Sequence, residues 1–246
     1  MNKSGNSVFL ENFKRMTTPG ILQKKIGFSN VALIVNGANS ILVDTGVRGG
    51  MKKLRILFRE AGIAAEDIRL IILTHTHYDH TGNLQKMVKL SGAKVLVHKN
   101  EFENLKTGFT PIPDGQGKYS GFITRLGKKV YPSYASPRAF TADLINSGEF
   151  DLKEYSIDGK VISTPGHTSG SQSVLLGDQL IAGDTFLNLN NGRIFPPFVN
   201  EPRLLLETWK KLFQLKIKTV YPGHGKRFNI EKAYSDYERW KKKLEN

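Results

Sequence analysis

Apolar residues fall into two similar blocks separated by a stretch without a period. In the first block, Val31 to Val35 and Ser40 to Asp44 are β-branched and aliphatic runs around the turn residues Asn36, Gly37 and Asn39, which predicts a hairpin. Met51, Leu54, Phe58 and Ala61 then recur at helical spacing, and Gly62 supplies a stop. Ile68 to Leu73 is a short apolar run typical of a buried strand; Asn83 to Leu90 predicts the next helix and Ala93 to Val97 the next strand. The second block repeats the logic, with strands predicted at Lys160 to Ser163, Gln172 to Leu176, Gln179 to Ala182 and Thr219 to Tyr221. Between the last two, Leu204, Leu205, Trp209 and Leu212 describe a helix face with Pro202 near its start. Ala233, Tyr237, Trp240 and Leu244 form one stripe of a closing helix. Strand-rich halves, each with helices to cover one face, predict two packed sheets between helix layers, in one domain spanning 1–246.

Between the blocks, Thr107 to Glu149 is irregular, with six glycines and four of the chain's ten prolines. That is too long for a plain connection in a compact domain. Its aromatics Phe109, Tyr119, Phe122, Tyr131, Tyr134 and Phe140 argue for a structured, lid-like insertion at about 107–149. Tyr119, Tyr134 and Arg138 are its candidate substrate contacts. At the other end, Met1 to Phe28 has no continuous hydrophobic run and reads as neither secretory signal nor membrane anchor, so a cytoplasmic protein with no membrane partner is expected.

Composition narrows the chemistry. Cysteine is absent, which excludes disulfides, thiolate metal sites and cysteine nucleophiles, so any metal must be held by nitrogen and oxygen. Lysine and arginine total 36 against 22 acids, a net charge of +14 that favours an anionic partner. An anionic small molecule is preferred here over nucleic acid, because no separate basic arm is evident.

Three of the six histidines crowd into His75-Thr76-His77-Tyr78-Asp79-His80, just after a predicted strand. Two histidines spaced by one residue in such a turn can point at one ion, while Asp79 and His80 point at a neighbouring position. Three further candidates stand at strand ends, each just after a glycine: His167 in TPGHT, Asp184 in AGDT and His224 in YPGHG. Glycine permits the sharp backbone turn that aims a side chain inward. The remaining histidine, His98, ends a strand outside this set and is expected to be structural.

HTHYDH followed in order by TPGHTSGS, AGDT and YPGHG resembles the metallo-β-lactamase superfamily, closest in motif text to its glyoxalase II-like hydrolases, over roughly Val31 to Lys226. The resemblance implies the α/β fold of that superfamily, an αββα four-layer sandwich. It also implies that His75, His77 and His167 hold a first divalent metal, zinc before iron or manganese. Asp79, His80 and His224 would hold a second, with Asp184 bridging both and Asp44 standing behind the ligands to fix an imidazole. A hydroxide shared by two such ions would attack an electrophilic carbonyl or phosphorus, with Asp79 as the residue that takes its proton. The expected activity is hydrolysis of a small ester, thioester or lactone. Alternatives on the same scaffold are a phosphodiesterase or ribonuclease, a mononuclear iron sulfur oxygenase, and a metal-bound binding module. Only 22 residues follow His224, which leaves no counterpart of glyoxalase II's helical glutathione-binding domain and puts that particular substrate in doubt.

Overall fold

The computed structural model describes residues 20–111, 115–116, 138–189 and 192–245. The first sheet has the order β1 (Gly20–Ile26), β2 (Ser29–Val35), β3 (Ser40–Val43), β4 (Ile68–Ile72), β5 (Lys94–His98) and β6 (Leu144–Asn146). The second runs β12 (Phe228–Asn229), β11 (Thr219–Gly225), β10 (Gln179–Asn188), β9 (Gln172–Leu176), β8 (Lys160–Ser163) and β7 (Glu149–Asp151). Helices α1 (Met51–Ala61), α2 (Leu84–Ser91) and α3 (Lys99–Thr107) belong to the first half; α4 (Pro202–Phe213) and α5 (Tyr234–Glu245) belong to the second.

The predicted hairpin is present, with Ile34 opposite Ile41 and Ala32 opposite Val43 in antiparallel register. From β3 to β6 the pairing is parallel, so the chain must cross over between strands, and α1 and α2 make the first two crossings. Strands crossed in this way are covered on both faces, which explains why their sequences are apolar runs without alternation. In β4, Ile71 packs against α1 and α2 with Leu54, Phe58 and Met87, whereas Leu70 and Ile72 face the second sheet. There they meet Val161, Val174, Ile181 and Tyr221. A third apolar layer, built on Trp209, Phe186 and Phe195, joins the second sheet to α4 and α5. Three such layers separate four of secondary structure, the αββα arrangement anticipated from the motif resemblance.

Several boundaries differ from the sequence expectation. β10 runs on past Ala182 to Asn188, and β11 past Tyr221 to Gly225, so Asp184 and His224 lie within strands rather than beyond their ends. Gly183, at φ +51°, shifts the β10–β11 register and lets the strand continue after the irregularity. The irregular stretch also begins and ends in regular structure: α3 reaches Thr107, β6 lies inside it, and Glu149 opens β7. Of its aromatics, Phe140 packs against the first core and Phe109 is exposed; Tyr119, Phe122, Tyr131 and Tyr134 lie outside the described residues.

Candidate metal centre

The turn after β4 carries His75, His77, Asp79 and His80, the last two on a single helical turn, Tyr78–Thr81. Opposite them stand His167 from the loop after β8, Asp184 from β10 and His224 from β11. These seven side chains converge in three overlapping trios whose ligand atoms lie within 4.8 Å of one another: His75, His77 and His167; His75, His80 and Asp184; Asp79, His80 and His224. Asp184 stands between them, with Oδ1 3.4 Å from His80 Nε2 and Oδ2 3.6 Å from His167 Nε2 and 3.4 Å from His224 Nε2. Gly223 lets β11 approach this carboxylate, since a β-carbon there would overlap Asp184 Oδ1.

Hydrogen bonds to the outer ring nitrogens fix which atom four of the five imidazoles offer. Asp44 accepts at Oδ1 from Thr74 N (2.8 Å) and at Oδ2 from Thr74 Oγ1 (2.8 Å), and its Oδ2 also meets His80 Nδ1 at 2.8 Å. Having given its one hydroxyl proton to Asp44, Thr74 Oγ1 must accept from His75 Nδ1, 3.0 Å away. Backbone carbonyls do the same elsewhere: Phe198 O for His167 Nδ1 at 2.9 Å and Phe28 O for His224 Nδ1 at 2.7 Å. Four imidazoles thus turn Nε2 inward. His77 is the exception, pointing Nδ1 at His167 Nε2, 3.0 Å away.

A buried polar atom without a partner is costly and calls for an explanation. Such atoms gather here, among them His75 Nε2, His80 Nε2 and Asp184 Oδ1. Imidazole nitrogen and carboxylate oxygen are donors suited to divalent first-row cations, so the residues fit the metal that the fold implies.

Electrostatics divides the cluster. Burial holds His77 and His167 down to about 4 and His75 well below the usual imidazole range, so the first trio is neutral and ready to ligate. Burial also opposes charge on His80 and His224, but the surrounding carboxylates outweigh it. Asp79, Asp44 and Asp184 push His80 well up, and Asp184 with Asp79 raises His224 to about 10. Asp79 and Asp184 are themselves held below the usual carboxylate range, against their burial, by His80 and His224.

A profile of the metallo-beta-lactamase superfamily matches residues 25–224. The chain belongs to that superfamily. It is 31% identical over 206 residues to a probable metallo-hydrolase of Methanocaldococcus jannaschii, covering 81% of this chain and 89% of that protein. It is also 28% identical over 125 residues to a hydroxyacylglutathione hydrolase of Shewanella pealeana, a match spanning 51% of this chain and 35% of that one. Among solved structures it is similar to a metallo-beta-lactamase family protein of Thermus thermophilus, with a TM-score of 0.67 at 21% identity, covering 94% of this chain and 81% of the other. Membership and the similarity to metallo-hydrolases together support hydrolase activity, and membership agrees with the layered architecture described above.

The other anticipated residues are placed as follows. Asp44 lies behind His80, with Oδ2 2.8 Å from its Nδ1. His98 caps α3, with Nδ1 accepting from Asn100 N at 3.2 Å. Arg138 is exposed in a small depression beside Thr81 and Lys86, outside the seven converging side chains, while Tyr119 and Tyr134 lie beyond the described residues. Sequence reasoning missed Glu101, a buried acid whose Oε2 accepts from both the backbone N and the hydroxyl of Thr76, between two ligand candidates. It also missed the carbonyls of Phe28 and Phe198, because a backbone acceptor leaves no trace in residue type.

Proposed function

We propose that this chain is a dinuclear metal-dependent hydrolase of a small, anionic ester, thioester or lactone. The convergence of the three trios around buried, unpartnered donor atoms carries this reading. His75, His77 and His167 would hold one divalent ion, Asp79, His80 and His224 the other, with Asp184 between them; zinc suits the donor set. Two such ions, when bound, acidify a shared water and polarise the electrophile's oxygen.

The chain's own side chains would do the rest. Asp79, whose Oδ2 lies 3.3 Å from His224 Nε2, would take the proton given up by the attacking water. Asp44 and Thr74 keep the His75 and His80 rings from rotating. Access is from the His224 side, where that side chain is 17% exposed and those of His80 and Asp184 only 0% and 10%. Phe28, 49% exposed, meets Tyr78 edge-on at 5.9 Å there and offers an apolar wall to an acyl group. Similarity to a hydroxyacylglutathione hydrolase supports a thioester in particular.

Metal analysis of protein purified without chelator, followed by turnover on ester, thioester, lactone and phosphodiester panels, tests the reading. Two ions per chain and turnover of acyl substrates are expected. His77→Ala should abolish that turnover and leave the circular dichroism spectrum unchanged; wild-type rates in this variant, or turnover confined to phosphodiesters, overturn it.

A further inference from the structure

α1 and α2 lie side by side on the first sheet, sharing the core beneath them through Leu54, Leu57 and Met87. On their outer side they leave an open groove of about 760 Å³. Its floor is apolar, supplied by half-buried Met51, Ile56 and Leu90. Its margins are cationic: exposed Lys52, Arg55 and Arg59 along α1, and exposed Lys86 and Lys89 along α2. Among the described residues no acid lines it, and the one acid of α1, Glu60, is taken by Lys24 at 2.6 Å. None of the seven ligand candidates lines it either.

The spacing of these charges has a direction. On α1 they recur at intervals of three and four residues, and on α2 at an interval of three, so each helix presents a row of positive charge beside the apolar floor. Five like charges set around one groove repel one another and gain from an anionic partner. The apolar floor requires that partner to bring apolar groups as well.

We propose that this groove docks an acidic amphipathic helix of another protein. Such a helix would lay an apolar stripe on Met51, Ile56 and Leu90 and set carboxylates on both flanks against the two rows, the helix-in-groove mode of recognition. The 11 residues of α1 span about 16 Å at 1.5 Å per residue, room for roughly three turns of partner. A nucleic acid fits less well, because the described lining has no aromatic ring on which a base could stack. A bilayer surface is flat where this site is concave, and the same lining lacks the aromatic anchors that favour membrane interfaces. A second copy of this chain carries the same excess of positive charge.

The test uses the full chain and a labelled synthetic peptide of about 14 residues whose leucines recur at i, i+3, i+4 and i+7 with glutamates on both flanks. A scrambled peptide of identical composition, vesicles of phosphatidylcholine with phosphatidylglycerol, and a single-stranded oligonucleotide serve as competitors, read by fluorescence anisotropy. Saturable binding of the striped peptide over the scrambled one is expected, weakening as salt rises because exposed charges are screened. Arg55→Glu and Lys89→Glu, both at exposed positions, should each weaken it at least about fivefold. Ile56→Asp should do so too, with an unchanged melting temperature verifying that the variant is folded. Equal affinity for the scrambled peptide, indifference to the charge reversals, or preferential binding of the vesicles or the oligonucleotide overturns the proposal.

Discussion

Asp44 has φ +63°, a left-handed backbone conformation that asparagine and aspartate tolerate far better than most residues. The position therefore selects a short side chain with a polar end, and that end reaches both Thr74 and His80. Asp44→Asn should keep the backbone while replacing one acceptor oxygen with a donor, so that Thr74 and His80 can no longer both be satisfied. Metal affinity is expected to fall about 10- to 100-fold by chelator competition, with little change in melting temperature. An unchanged affinity would show that the His80 ring is held by other means. Gly223 is decisive for a steric reason: Gly223→Ala would push its methyl into Asp184 Oδ1 and should empty the centre of at least one ion, measured as metal per chain, while the far-ultraviolet spectrum stays as it was.

At the scale of elements, the first turn of α3 clips together the two loops that carry the first histidine trio. Glu101 accepts from Thr76 N and Oγ1 in one loop, and Asn100 Nδ2 donates to Ser169 O in the other at 3.1 Å. Gly170 lies so close to Glu101 that a β-carbon would strike its side chain. Glu101→Ala leaves two buried donors of Thr76 without their carboxylate and should cost about 2–3 kcal/mol by denaturant titration. Glu101→Gln, which still offers one carbonyl oxygen, should recover part of that loss; a stable Ala variant would remove α3 from the account. This helix was not legible in the sequence, because KNEFENLKT has few apolar residues and only Glu101 and Leu105 are buried. By contrast α1 shows its period plainly, with Leu54, Leu57, Phe58 and Ala61 buried and Gly62 left-handed at its end. β1 escaped notice because Lys24 and Lys25 interrupt an edge strand, and β6 and β7, of three residues each, are too short to show a period. The ligand candidates were legible because liganding constrains residue type and order together. The acceptors behind them were not, since Phe28 and Phe198 act through their carbonyls and Glu101 is one acid among 22.

Among the described residues two sheets meet through one apolar interface, and the candidate metal centre sits across the same divide. His75, His77, Asp79 and His80 follow β4 of the first sheet, whereas Asp184 and His224 lie in β10 and β11 of the second and His167 follows β8. Each ion in the proposed arrangement takes donors from both halves, so binding also ties the halves together. Ions that bind only the folded chain stabilise it by about 2.7 kcal/mol per site when free metal is 100 times the dissociation constant. For a chain of this size, 1 kcal/mol moves the melting temperature by roughly 2–4 °C, so two occupied sites should raise it by roughly 10–20 °C over chelator-treated protein. His167→Ala removes a donor from the first site only and should leave about half of that rise. Scanning calorimetry at matched free zinc reads both quantities. If the metal-loaded and metal-free proteins melt together although two ions per chain are measured, the donors do not close across the interface, and the arrangement proposed for the centre is wrong.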